Sequence, residues 1–287
     1  AMLVAPVLAG AGATTLVSEK GNSQIAALPS ISADGRYVVF SSTSTQLIAN
    51  DTNGKKDIFV RDLLVGTTAR ISIASDGTQA DKDSDFGSIS ADGRYVAFQS
   101  DATNLVAGDT NNVADIFVHD IVTGSTTRVS LNSGGSQANA YCFRPSISPN
   151  GRYVAFSSPA SNLVTDKTTS VEDIFVRDRL AGITTRISLA NDGTQGNGPS
   201  NSPSMSADGR YVAFVSSSNN LVGAGQDTNY GPDIFVRDLK LNTTTRVSVA
   251  SDGSEQTGSQ FSNYDRFIPP SISYNGRYVA FYSYATN

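Results

Sequence analysis

The apolar residues of this chain come in short, nearly unbroken runs. "YVVF" occupies 37–40, "YVAF" recurs at 95–98, 153–156 and 211–214, and "IFV" stands at 58–60, 116–118, 174–176 and 234–236. The runs are short, rich in β-branched and aromatic side chains, and bounded by Gly, Asp, Asn or Ser, which predicts strands; no segment carries a helical period. A strand with one face in water alternates apolar with polar. These strands do not, so both faces of each sheet are expected to be buried. "ADG" at 33–35, 91–93 and 207–209 predicts a hairpin, because Gly accepts the positive φ that the turn needs.

The pattern repeats. "GRYV" begins at Gly35, Gly93, Gly151, Gly209 and Gly276, with spacings of 58, 58, 58 and 67. "DIFV" begins at Asp57, Asp115, Asp173 and Asp233, with spacings of 58, 58 and 60. Each unit reads as four strands: a short "PSIS", then "RYVAFSS", then "DIFVRD" after a long loop, then "TTRVS" after a tight turn. Sheets that stack on one another in this way are the blades of a propeller.

"SISADGRYVAFxS" followed by "DIFVRD" resembles the TolB-type, WD40-like β-propeller repeat (PD40) of bacterial proteins, over nearly the whole chain. The resemblance implies an all-β propeller of four-stranded antiparallel blades in an extracytoplasmic protein: secreted, periplasmic or on the cell surface. Two features depart from it. Ile31, Ile89, Ile147, Met205 and Ile272 stand where the family has an aromatic residue, and the period of 58 exceeds the 40–45 of a WD40 unit. No TolB-like N-terminal domain precedes the repeats here, so a role in that transport system is not carried over.

Blades are expected at about 30–74, 88–132, 146–190 and 204–250, within a single domain spanning 1–287. The last unit stops after "YATN" (284–287), while "MLVAP…GATTLVS" at the start matches third and fourth strands. Residues 271–287 and 1–18 would together close a fifth blade and remove exposed edges. A fragment of a longer propeller is the alternative.

Composition narrows the function. A formal net charge of -5 and a pI near 4.8 argue against a nucleic-acid partner. Only three of the 26 acids are Glu (Glu19, Glu172, Glu255), and Asp is a turn and cap residue. The single cysteine, Cys142, excludes an internal disulfide and a multi-Cys metal site. The apolar opening is too short to span a bilayer.

Candidate chemistry falls on the long loops, which share one end of each blade while the tight turns share the other. Asp51, Asn53 and Asp57 hold positions 1, 3 and 7 of "DTNGKKD"; Asp109, Asn111 and Asp115, and Asp227, Asn229 and Asp233, repeat them. Oxygen ligands so spaced could hold Ca²⁺ with help from backbone carbonyls and water. Equally, Asp and Asn make Asx-turns and cap a strand. The third copy, Asp166, Thr168 and Asp173, has one extra residue and is expected to bind more weakly.

Asp62, Asp120, Asp178 and Asp238 end third strands, and Arg70, Arg128, Arg186 and Arg246 lie on fourth strands, suggesting a cross-strand pair in each blade. Arg36, Arg94, Arg152, Arg210 and Arg277 are read in the same structural way. Gln24, Gln79, Gln137, Gln195 and Gln256 recur once per unit. Where the repeat breaks, Tyr141, Phe143, Arg144, Tyr264, Arg266 and Phe267 bring aromatic and guanidinium groups together, a pattern that can stack on sugars or grip peptides. The only histidine, His119, reads as a surface substitution and leaves almost no room for a Ser-His-Asp arrangement. The sequence therefore points to a non-catalytic binding or scaffold propeller, calcium-stabilised if the loops hold metal, with a protein or glycan partner on the long-loop face. The rival is a glycan hydrolase or lyase using channel carboxylates.

Overall fold

The computed structural model describes residues 3–4, 15–16, 27–223, 225–229, 231–256 and 268–286. Contacts divide the chain into two compact units, Ala1–Arg128 and Val129–Asn287. Among the described residues there is no helix, and every sheet is antiparallel.

Four sheets are complete blades, each a simple meander in chain order. The first contains β3 (Ala27–Ile31), β4 (Tyr37–Ser42), β5 (Asp57–Asp62) and β6 (Thr67–Arg70). The second contains β7 (Ser84–Ile89), β8 (Tyr95–Ser100), β9 (Asp115–Asp120) and β10 (Ser125–Arg128). The third contains β11 (Phe143–Ile147), β12 (Tyr153–Ser158), β13 (Asp173–Asp178) and β14 (Ile183–Arg186). The fourth contains β15 (Ser200–Met205), β16 (Tyr211–Ser216), β17 (Asp233–Asp238) and β18 (Thr243–Arg246). The strand order expected from the repeat is the one observed.

β1 (Leu3–Val4) pairs with β2 (Thr15–Leu16), and β19 (Ser271–Ile272) pairs with β20 (Val279–Ala280), as two separate two-stranded sheets. Of residues 2–18 only 3–4 and 15–16 are described, so the expected ladder between 2–18 and 271–284 lies outside the described residues. β19 does stand as the next first strand after the fourth blade: Ile272 N–H donates to Ser204 Oγ at 3.3 Å, and Ala207 N–H to Tyr274 O at 3.0 Å.

Each blade is built around the residues that repeat. In the first hairpin, Ser32 Oγ donates to Asp34 Oδ1 at 2.5 Å and accepts Tyr37 N–H at 2.9 Å, while the same Asp34 oxygen accepts Arg36 N–H at 3.0 Å. The set recurs with Ser90 and Asp92, Ser148 and Asn150, and Ser206 and Asp208. The glycine that follows has two jobs. Gly93 takes φ +72, and a Cβ there would lie 2.3 Å from the ring of Tyr37 in the preceding blade.

Phe40 and Phe59 face each other across β4 and β5 with ring centroids 5.9 Å apart, fully buried, and the pair recurs as Phe98–Phe117, Phe156–Phe175 and Phe214–Phe235. Within each unit one blade packs on the other. In unit 1, Val39, Ile58, Val60 and Ile71 meet Ile89, Val96, Phe98 and Phe117; in unit 2, Ile174, Val176 and Ile187 meet Met205, Val212, Phe214 and Phe235. Neighbouring strand residues such as Val38 and Val39, which point to opposite faces, are both buried, as the unbroken apolar runs require.

The charge pairs are not those expected. Asp62 binds Arg36 through both oxygens, with Nη2 to Oδ2 at 2.7 Å, and Asp120, Asp178 and Asp238 bind Arg94, Arg152 and Arg210 likewise. Register is the reason: Tyr37 lies opposite Asp62, so Arg36 stands beside it, whereas Arg70 lies opposite Phe59, three residues back along β5. Hydrogen bonding from the guanidinium holds Asp62 and Asp238 at about 2.

Edges are capped by the neighbouring blade. Thr126 N–H on β10 donates to Ser75 Oγ at 2.9 Å, and Thr126 Oγ1 donates to Ile73 O at 2.5 Å. Thr184 repeats this with Ser133 and Leu131 O, and Thr244 with Asn191 and Leu189 O. Capped outer strands do not offer a free template for aggregation. Because Gly93 combines left-handed backbone with a ring against its Cα, Gly93→Ala should cost about 2–4 kcal/mol. Urea unfolding with an unchanged m-value would measure it.

Candidate functional site

The long loop between the second and third strands meets the connection that follows the fourth strand, at one end of each blade. In β5, Asp57 and Phe59 share a face, and Arg70 on β6 lies opposite Phe59. Residues two apart on a strand, and residues opposite each other across a pair, point the same way. Arg70 is therefore aimed at Asp57 and at the loop above it.

Asp57 is fully buried. Its Oδ1 accepts from Ser72 Oγ at 2.5 Å, and Ser72 Oγ in turn accepts Ile58 N–H at 3.1 Å. Its Oδ2 accepts from Asn53 Nδ2 at 3.0 Å and from Arg70 Nη1 at 3.1 Å. The same Nη1 lies 3.4 Å from Asp51 Oδ1 and 2.8 Å from Gln79 Oε1, and Nη2 donates to Asn50 O at 3.4 Å. Gln79 also ties the loop backbone, its Nε2 donating to Asn50 O at 2.7 Å.

The second and fourth blades repeat the arrangement. Arg128 Nη1 lies 3.0 Å from Asp109 Oδ1 and 3.3 Å from Asp115 Oδ2, and Asn111 Nδ2 donates to Asp115 Oδ2 at 2.8 Å. Arg246 Nη1 lies 3.4 Å from both Asp227 Oδ1 and Asp233 Oδ2, and Asn229 Nδ2 lies 3.3 Å from Asp233 Oδ2. The third blade solves the same problem differently. The loop, 159–172, is as long as 43–56 and 101–114, so the expected extra residue is no insertion. Lys167 stands where Asp51 and Asp109 stand, and it folds back with its side chain fully buried, Nζ 2.5 Å from Asp173 Oδ2 and 2.6 Å from Val171 O. Arg186 is left with Asp166 at 3.0 Å and Gln195 at 2.9 Å.

The structure thus brings together every aspartate and asparagine expected to ligate calcium, but around a side-chain cation. Calcium takes six to eight oxygens at 2.3–2.6 Å. In the first loop, both oxygens of Asp57 already accept hydrogen bonds, and the open side of Asp51 faces a guanidinium. This donor set does not fit calcium with the arginine in place.

The amide series needs one correction. Gln79, Gln137 and Gln195 form isolated bridges with Ile73, Leu131 and Leu189, but the fourth partner, opposite Val249, is Glu255. Gln256 points elsewhere, accepting from Ser283 Oγ at 2.8 Å, and Gln24 lies outside the described residues. Glu255 Oε1 lies 2.7 Å from Arg246 Nη1, so three carboxylates share one arginine in this blade. Burial, reinforced by Asp233, pushes Asp227 up to about 6. Glu255 goes the other way: against its own desolvation, hydrogen bonds from Thr228 and Arg246 hold it at about 2.

At the irregular segment, Tyr141 is half exposed and its ring centroid lies 5.4 Å from that of Phe143. Arg144 follows at a register shift of β11 with φ 55. Tyr264, Arg266 and Phe267 lie outside the described residues. His119 is buried rather than on the surface. Its Nδ1 lies 2.9 Å from Thr126 Oγ1, the contact that Arg177 and Arg237 make with Thr184 and Thr244. Thr126 Oγ1 spends its proton on Ile73 O, so His119 Nδ1 is the donor. Burial lowers the His119 pKa. This is a packing histidine, and the hydroxyl it touches is committed to the Ile73 carbonyl.

Two sister cavities flank the fourth strands of unit 2. One of about 610 Å³ is lined by Asn191, Gln226, Thr244, Thr245, Arg246 and Glu255. The other, about 460 Å³, is lined by Asn132, Ser133, Asp166, Thr184, Thr185 and Arg186. Both present hydroxyls and amides around one ion pair.

Four-stranded blades stacked face on face, with side-chain cations seated in their long loops, define a β-propeller. The fold is that of TolB. A TolB structure from Acinetobacter baumannii superposes with a TM-score of 0.55 at 16% identity, covering 96% of this chain and 52% of that one. A putative TolB from Agrobacterium tumefaciens gives 0.53 at 19% identity, covering 88% of this chain and 73% of that one. The chain thus spans about half the length of the Acinetobacter protein. No protein-family model matches the sequence, and no curated protein matches it.

A carboxyl whose pKa is raised on folding destabilises the fold above its folded pKa and not below its unfolded one. Asp227 should therefore make stability fall as pH rises from about 4 to about 6. Glu255→Gln gives Arg246 back to the two aspartates and should flatten that fall. Melting temperatures of both proteins across this range check it.

Proposed function

We propose that this chain is a non-catalytic binding propeller of a bacterial extracytoplasmic protein, contacting its partner through the long-loop end of the blades. The observation that carries the reading is the pair of sister cavities beside β14 and β18. Cavities of this size with convergent polar groups are the ordinary form of a recognition site. Their hydroxyl, amide and ion-pair lining suits an extended protein segment, with a glycan as the other candidate occupant. The Tyr141–Phe143 pair, half exposed at Tyr141, adds an apolar platform at the same end of the third blade. Against the hydrolase reading, Asp62, Asp120, Asp178 and Asp238 are held by arginine and the loop aspartates are held in ion pairs. Among the described residues no helix is long and apolar enough to cross a membrane.

Photo-crosslinking tests the reading in the native host. A crosslinking residue at Thr185 or Thr245 should capture a discrete partner, and one at Val122, on the tight-turn side, should not. Capture only from Val122 would place the contact at the wrong end of the blades. Turnover of peptide, ester or glycan substrates that vanishes on replacing a loop aspartate would make the protein an enzyme.

A further inference from the structure

We infer that each "DTN…D" loop carries its own cation, an arginine from the fourth strand, and that this guanidinium excludes calcium from the loop. The inference does not depend on the partner proposed above. In the first blade, Arg70 is seated among Asp51 Oδ1, Asp57 Oδ2, Gln79 Oε1 and Asn50 O, all within 3.4 Å. Carboxylates, an amide oxygen and a backbone carbonyl are the mixture that a calcium site uses. The arginine side chain is 5% exposed, and those of Asp51 and Asp57 are 2% and 0% exposed. Carboxylates so buried need a partner charge, because an unpaired buried ion is strongly unfavourable.

The third blade supplies an independent test of the same demand within one molecule. There Lys167 stands in the position that Asp51 and Asp109 hold, Arg186 pairs with Asp166 rather than with the strand aspartate, and the lysine has taken its place. Lys167 Nζ sits on Asp173 Oδ2 with its side chain fully buried. The loop keeps a cation when the arginine contact is lost, and the replacement again comes from the chain. What the sequence repeats is thus an acidic cradle together with its built-in occupant, and a metal would have to displace an arginine held by several oxygens.

The experiment uses the whole chain, freed of metal by chelation, with calcium chloride as the probe. The wild-type melting temperature should be the same in EDTA and in millimolar calcium, and calorimetric titration should show no binding. Arg128→Ala should melt several degrees lower than wild type, and calcium should restore part of the loss by filling the vacated cradle. Arg128→Lys keeps the charge, as Lys167 does in the third loop. It should stay folded with a smaller loss and remain indifferent to calcium, which keeps the test decisive if the alanine variant does not fold. Calcium binding to the wild type overturns the inference. So does an Arg128→Lys loss as large as that of alanine, or an Arg128→Ala loss no larger than that of the hairpin variant Arg277→Ala.

Discussion

The buried contact between the aspartate that opens each third strand and the cation seated on it is the constraint around which the blade is arranged. Asp57 lies at the head of β5, where the long loop, the third strand and the connection after β6 converge. One oxygen fixes Ser72 and through it the Ile58 amide; the other fixes Asn53 and Arg70. Backbone groups where a loop enters a core must be satisfied by something, and here one carboxylate organises them. The arrangement recurs with Ser188 and Ile174 on Asp173, and with Ser248 and Ile234 on Asp233. A charge inside a protein is a weak source of net stability, but it is strongly selective about what surrounds it. That selectivity accounts for the strand aspartate and the fourth-strand arginine recurring in all four complete blades while neighbouring loop residues drift.

Around that anchor, adjacent blades are stitched by polar groups that each cap an exposed edge. Ser30 Oγ accepts the Ile89 amide, Ser146 accepts the Met205 amide, and Thr126 reaches the backbone of Ile73. These "PSIS" serines are therefore spent on blade-to-blade contacts. Much of the polar content of this acidic chain is structural in the same sense. Among the described residues, the side chains lining the sister cavities of unit 2 and the half-exposed Tyr141 ring are among those open to a partner.

How far the sequence could be read follows from what kind of contact each residue makes. Strand order, turn positions and the burial of both faces were legible because the apolar runs and the Asp-Gly turns are local signals repeated four times. The partner of a charge was not legible, since it depends on register: Asp62 meets Arg36 because Tyr37 lies opposite it, and Arg70 is thereby free to reach the loop. Nor was the role of Glu255, because "SEQ" in the fourth unit offers a glutamine one position from the structural equivalent. His119 was misread for a related reason. The arginines it replaces are themselves partly buried against a threonine, so a substitution that looked superficial sits in the interior. The oxygen spacing of "DTN…D" suggested calcium, but spacing within a loop is silent about an arginine arriving from another strand.

The account stands on the coupling between the strand aspartate and the arginine, and a double-mutant cycle measures it most directly. Asp57→Asn, Arg70→Met and the double variant would be unfolded in urea and compared with the wild type. If the pair is the buried anchor described here, each single change leaves an unpaired buried charge or donor and costs about 3 kcal/mol or more. The double change should then cost much less than the sum, giving a coupling of about 1–3 kcal/mol. Additive losses, with coupling indistinguishable from zero, would contradict the account.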